Sequence, residues 1–287
     1  MAKKIITNKQ HTILLLLYIF RFLNSKQIQE FLMHTDHRRI NAWLKDLEEK
    51  EYIVREFKPL YGQLTKPAVC YLTAKGRMHI KQNYTYYFPV YLKRISRDKK
   101  ASKAFKIRCQ IIADWYLLRF PPQKNNIDIV QTLITHITTD TDEEEKIPLN
   151  KVQFFTPANF PTFTLLGKIK PDAYLRKKTT KGVTHGLLFV LDSYISRLVL
   201  RYTLKRIFDT LDEEYWEDES IAALHMYVLC PNNQVIIYLK RALPTQLEQY
   251  TADKQLNFYL ATRNQLYKQK NGEAETIKWI TLSSTDE

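Results

Sequence analysis

Apolar residues crowd the segment Asn8 to Phe22, and the run Ile13 to Phe20 carries no charge, which predicts a buried first helix ending before Asn24. A second helix follows at once. Asn24 or Ser25 can cap it, Gln27 stands where it reaches back to an Asn24 cap, and Ile28, Phe31 and Leu32 share one face. The polar stretch His34 to Asp36 interrupts the pattern. Asp36 then caps a third helix to about Lys50, whose Ile40, Leu44 and Leu47 form a stripe flanked by Trp43. Beyond it, Tyr52 to Lys58 reads as a strand, Pro59 to Pro67 as a loop around Gly62, and Ala68 to Thr73 as a returning strand. A short helix opens at Thr73-Ala74-Lys75-Gly76.

Further along, Ala101 to Phe120 reads as a helix, Ile127 to Thr138 as a strand, and a polar, acidic connection holding Asp140 to Glu145 follows. Lys168 to Lys177, Gly186 to Asp192 and Ala222 to Cys230 read as strands, with a long helix from about Ile195 to Tyr215 before the last of these. Asn232 to Leu243 is a further helix, Leu256 to Thr262 a strand, and Thr276 to Leu282 a candidate last strand. The order predicts an N-terminal helical domain over 1–85, a basic connector over 86–100 and an α/β domain over 101–287.

Charge adds a direction. The chain of 287 residues has 44 Lys and Arg against 30 Asp and Glu, a formal net charge of +14, which points to a polyanionic partner. Residues 1–100 hold 20 basic and 8 acidic side chains, so most of the excess is N-terminal. Within the second part, 151–208 holds 11 basic groups and 2 acidic ones, whereas 209–219 is acidic with no base. Between Val90 and Arg108 stand Lys93, Arg94, Arg97, Lys99, Lys100, Lys103, Lys106 and Arg108 against Asp98, either a phosphate-touching linker or a solvated connector. Cys70, Cys109 and Cys230 lack any CxxC spacing and support neither a disulfide framework nor a zinc site, which fits a reducing cytoplasm. No apolar run approaches the roughly 20 residues of a membrane span. With no Gly-rich phosphate loop, paired-histidine motif or Ser/His/Asp arrangement, nucleotide hydrolysis, zinc chemistry and acyl transfer have no support.

The outer face of the third helix is made by Arg38, Asn41, Ala42 and Lys45, with His37 and Arg39 in its first turn. Arg can bond O6 and N7 of guanine, Asn can bond N6 and N7 of adenine, and a small Ala allows close approach, so this face suits a major groove. A solvated helix face is the competing reading. Three helices, a β-hairpin with a basic tip and the turn Leu72-Thr73-x-x-Gly76-Arg77 resemble a winged helix-turn-helix, with Lys58, Tyr61, Gln63 and Lys66 lining the wing.

In the second domain Asp172 follows Pro171 at the head of one strand, and Asp192 ends the apolar run Leu187 to Leu191 of the next. Acids so placed can converge on one divalent metal that activates water. This arrangement, with its helix-strand-strand-strand-helix-strand order counted from Ala101 to Phe120, resembles the PD-(D/E)xK nuclease-like fold. The resemblance implies Asp172 and Asp192 as ligands of Mg or Mn, with Asp114 as a third acid, were the domain active. The usual acid-x-lysine element is replaced by Asp192-Ser193-Tyr194, so its lysine is missing, and Lys168 or Lys170 would have to serve as a migrated one. A turn aspartate after proline and a helix cap before Ser193 are the structural uses open to Asp172 and Asp192.

Together the halves resemble the replication-relaxation family of plasmids and conjugative elements. The resemblance rests on Leu72-Thr73-x-x-Gly76-Arg77, on Ile169-Lys170-Pro171-Asp172-Ala173, and on Leu188-Phe189-Val190-Leu191-Asp192 leading into the helix around Arg201 to Leu211, and spans roughly 8–245. It implies a cytoplasmic, sequence-specific double-stranded DNA-binding protein acting in plasmid replication, conjugative DNA processing or their control. Relaxase or replication proteins, and a second copy of the chain, are the protein partners it suggests. No resident cofactor is expected. The alternative is a metal-dependent endonuclease using Asp172 and Asp192.

Overall fold

The computed structural model describes residues 6–57, 67–122, 134, 152–161, 164–180, 182–212, 221–250 and 255–284. The chain divides into two compact units, Met1–Thr138 and Thr139–Glu287.

The first unit is built around α1 (Asn8–Phe20), opened by a Thr7 cap whose side chain and that of Gln10 satisfy each other's backbone N–H groups. Ile13 through Phe20 are each at most 2 % exposed. A helix apolar on every side must be enclosed. Four elements do so: α3 (His37–Glu49), β3 (Val69–Leu72), α4 (Ala74–Tyr84) and α5 (Lys103–Arg119) all pack on α1. Between α1 and α3 lie β1 (Leu23–Asn24) and α2 (Ser25–Phe31), the latter capped by Asn24 and Gln27 in a reciprocal pair. β2 (Ile53–Glu56) and β1 flank β3, both antiparallel, in a sheet of order β1-β3-β2. His11 and His79 join α1 to α4 by a ring nitrogen contact of 3.0 Å, and burial lowers the pKa of each.

Residues 86–100 are folded into this unit rather than strung between domains. Two 3₁₀ turns, Leu92–Ile95 and Asp98–Lys100, cover it. Asp98, the acid within the basic stretch, is buried and takes the Arg21 guanidinium, whose Nε donates at 3.1 Å. Ala101 to Phe120, expected to open the second domain, instead packs as α5 on α1, α2 and β1. Its polar positions explain why. Gln27 donates from α2 to Asp114 (2.7 Å) and to the Gln110 carbonyl (2.8 Å), and Lys106 pairs with Glu56 of β2 at 2.6 Å.

The second unit is one six-stranded sheet of order β4-β5-β6-β7-β8-β9, comprising Val152–Phe155, Ala173–Thr179, Gly182–Val190, Ile221–Cys230, Gln255–Thr262 and Ile280–Ser283. β4, β5 and β6 run antiparallel in turn, β6-β7 and β7-β8 are parallel, and β9 returns antiparallel. The two parallel steps need crossovers, supplied by α7 (Arg197–Asp212) and α8 (Asn233–Glu248). Their Leu204, Ile207, Leu239 and Leu243 share a core with Leu187, Phe189, Met226, Val228 and Phe258 of the sheet. α6 (Thr164–Ile169) precedes β5, and α9 (Arg263–Lys270) follows β8 under a Thr262–Gln265 capping box.

Two expectations change here, and one falls outside the described residues. Lys168 and Ile169 end a helix rather than start a strand, because Pro171 cannot continue α6. Lys170 turns it off at φ 55° while its N–H still bonds the Leu166 carbonyl at 3.0 Å. Most of the stretch Ile127 to Thr138 lies outside the described residues, and Ile134, its described member, is helical and buried rather than extended. The candidate wing residues Lys58, Tyr61, Gln63 and Lys66 also lie outside the described residues.

Candidate nucleic-acid interface

α3 is positioned from below. Ile40, Leu44 and Leu47 are buried against the unit, and Asp36 accepts the Arg38 N–H at 2.8 Å to start the helix. The α2–α3 turn is held by Gln29, whose amide donates to the carbonyls of His34 (2.9 Å) and Thr35 (3.2 Å). These contacts fix which side faces out. His37, Arg38, Arg39, Ala42 and Lys45 are exposed, and Asn41 is half-buried between the outer face and the core stripe. Arg38, Asn41, Ala42 and Lys45, at spacings of three and four, therefore form one surface row on α3. Lys45 lies 3.8 Å from Glu49, an exposed pair one turn on that holds little of its charge. Arg39 lies over the Trp43 ring at 5.9 Å.

The basic stretch after α4 divides by use. Lys106 is committed to Glu56 and Arg94 lies 3.9 Å over the Tyr91 ring, whereas Lys93, Arg97, Lys99, Lys100 and Lys103 are exposed. These exposed cations offer charge to an external anion.

The motif Leu72-Thr73-x-x-Gly76-Arg77 is a joint between β3 and α4. Thr73 accepts the Gly76 N–H at 3.1 Å to cap α4, and its own N–H and hydroxyl reach the Tyr52 carbonyl at 3.0 and 3.1 Å. A Cβ on Gly76 would stand 2.2 Å from that carbonyl oxygen, so glycine is required by close approach.

The three candidate acids fall in different settings. Asp114 is buried in the first unit on α5, accepting from Gln27. In the second unit, Asp172 sits just before β5, its N–H bonded to the Leu188 carbonyl (2.8 Å) and its carboxylate accepting the Val190 N–H (2.7 Å). It thereby extends the β5–β6 pairing by one step. Asp192 lies two residues past the end of β6, half-buried, and its carbonyl accepts the Ile195 N–H (3.2 Å) in the turn into α7. Both therefore stand at the C-terminal end of β6, where open α/β sheets place their ligands. Arg263, at the end of β8, donates to Ser193 at 3.4 Å on the same rim. Among the described residues no group of three His, Cys, Asp or Glu is set to hold a metal ion. Cys70, Cys109 and Cys230 are buried, and burial pushes the Cys70 and Cys230 thiols up to about 12, which leaves both protonated and unreactive at neutral pH.

Sequence reasoning missed a basic groove beside α7. Lys168, Lys170, Lys205 and Arg206 line it, with Tyr202 on its wall, in a cavity of about 610 Å³. The signal was present as the charge of 151–208, but only the helical ending of α6 brings Lys168 and Lys170 beside α7. Among the described residues, no helix is long and apolar enough to cross a membrane.

Compared with known proteins, residues 14–117 match the family model described as replication-relaxation, and this match supports placing the chain in that family. The matched segment begins within α1 and ends within α5, so it lies inside the first unit; the stretches Ile169 to Ala173 and Leu188 to Asp192 fall outside it. No curated protein and no solved structure matches the chain.

Proposed function

We propose that the first unit is a winged helix-turn-helix that reads double-stranded DNA, with α3 entering the major groove, and that the protein serves plasmid replication, conjugative DNA processing or their control. The observation that carries this reading is the surface row Arg38, Asn41, Ala42 and Lys45, turned outward by the burial of Ile40, Leu44 and Leu47. The three-stranded sheet beside the helices supports it, since β2 and β3 form the hairpin whose tip would be the wing. The family match over the same residues supplies the biological setting. Cytoplasmic placement, a second copy of the chain and a relaxase or replication protein as partner belong to the same proposal.

In the second unit, the order β4-β5-β6-α7-β7 supports a PD-(D/E)xK-like ancestry. We read the unit as supporting DNA binding rather than as an endonuclease. The acid-x-lysine element is missing, since Asp192 is followed by Ser193 and Tyr194, and the Asp172 carboxylate accepts the Val190 N–H.

Selection of a preferred duplex from a random pool, followed by binding titrations, tests the proposal. Arg38→Ala and Asn41→Ala are expected to lose discrimination at one base pair each, by about 1–3 kcal/mol. Lys58→Ala and Lys66→Ala should weaken all sequences alike and reduce the salt slope. Site-specific binding that survives all four substitutions would reject α3 as the reader.

A further inference from the structure

We propose that the second unit carries its own nucleic-acid site, a groove along α7 that holds a single strand of DNA by its phosphates and stacks a base on Tyr202. The site uses none of the residues assigned to duplex reading, so it stands or falls separately from α3.

The groove is built by local geometry. α6 stops at Ile169, and the left-handed turn at Lys170 leaves Lys168 and Lys170 on the rim facing α7. Arg206 donates to the Ile169 carbonyl at 3.4 Å, fastening the end of α6 to α7. Lys205 completes the lining, giving four cations against one carboxylate, Asp209. A concave surface with that excess attracts an anion carrying several charges.

A row of charge then selects a strand over a compact ion. Buried Leu200, Leu204, Ile207 and Leu211 turn Arg197, Arg201 and Lys205 outward at intervals of four residues. That spacing places the cations about 6 Å apart along the axis, a line that successive phosphates can follow and one phosphate cannot. Among the described residues, Lys170, Arg197, Arg201 and Lys205 form no ion pair, so their charge is available to a ligand. Arg201 and Lys205 also line a second cavity of about 410 Å³ against α8, which continues the concave surface past α7.

Aromatic exposure selects a single strand over a duplex. Tyr202 is 65 % exposed between Arg201 and Lys205, and Tyr194, ahead of the helix, is 98 % exposed. A tyrosine so placed sacrifices apolar burial that the core would have rewarded. Bases stacked inside a duplex cannot use its face, whereas an unpaired base can.

The test is fluorescence anisotropy of the full chain with a labelled mixed-sequence single strand, with duplex DNA, and with a mononucleotide, all at physiological salt. Tyr202→Ala and Lys205→Glu are each expected to weaken the single strand about tenfold, while leaving binding of the preferred duplex unchanged. Gly167→Glu adds an acid to the lining where a Cβ meets no atom within 4 Å, so it blocks the groove without a packing clash. It should reproduce the same loss. The proposal would be overturned by single-strand affinity unmoved by all three variants, by no single-strand binding by the parent chain, or by a mononucleotide bound as tightly as the strand. Loss of duplex binding alone would overturn it too.

Discussion

Two glycines in helices make opposite demands on the chain. Gly76 lets α4 start beneath the Tyr52 carbonyl, and a methyl there would have to displace backbone that Thr73 already holds twice. Gly167, in α6, has open space where a Cβ would stand. Gly76→Ala is therefore expected to destabilise by about 1–3 kcal/mol through overpacking, whereas Gly167→Ala should stabilise by about 0.5–1 kcal/mol through helix propensity. Urea unfolding of the two variants beside the parent checks both signs. Equal midpoints for Gly76→Ala and parent would mean that the carbonyl does not approach that closely. The sequence shows Gly76 as part of a motif, but the requirement itself comes from Tyr52, more than twenty residues away, and no local pattern contains it. The outward row on α3 was legible for the opposite reason: Ile40, Leu44 and Leu47 define the buried side, and the outer side follows from helical geometry alone.

Elements were readable where their ends are chemically marked. Asn24 with Gln27 and Asp36 announce α2 and α3, and Thr262 with Gln265 would have announced α9 had the pair been weighed. Where α5 packs was not readable, because a helix with apolar residues around much of its surface suits either unit. Its partners are set by Gln27, Asp114, Glu56 and Lys106, which are distant in sequence. The 86–100 segment is held in the same way by the distant Arg21–Asp98 pair, beside the Tyr91 N–H that donates to the Tyr18 hydroxyl at 3.1 Å. Burial raises the Asp98 pKa, and the hydrogen bond and charge of Arg21, then the charges of Arg77 and Lys106, oppose that rise. Removing Arg21 would leave the buried carboxylate without its hydrogen-bonded partner, facing the charges of Arg77 and Lys106 alone. Arg21→Met is expected to cost about 3–5 kcal/mol, and Asp98→Asn in the same chain should recover part of it. Thermal unfolding of the single and double variants measures the coupling, and additive losses would show that the pair does not anchor the segment.

At the scale of the molecule, a net charge of +14 announced a polyanion without saying how many surfaces share it. The fold distributes that charge over α3 and the exposed lysines after α4 in one unit, and over α6 and α7 in the other. Neither surface borrows a residue from the other. If α3 reads duplex and the α7 groove holds a single strand, the two ligands occupy separate residues and bind the same chain together. Such a protein suits places where duplex gives way to unpaired strand, which plasmid replication and conjugative processing both create. A labelled single strand bound to the full chain should therefore keep its high anisotropy when the preferred duplex is added to saturation. Its anisotropy should rise further, because the complex gains mass. Raising salt should release both ligands, each phosphate contact contributing about 0.7 to the logarithmic slope on single-stranded DNA against about 0.9 on duplex. Displacement of the strand by the duplex would instead merge the two surfaces into one site, and the division of charge between the units would then serve a single ligand.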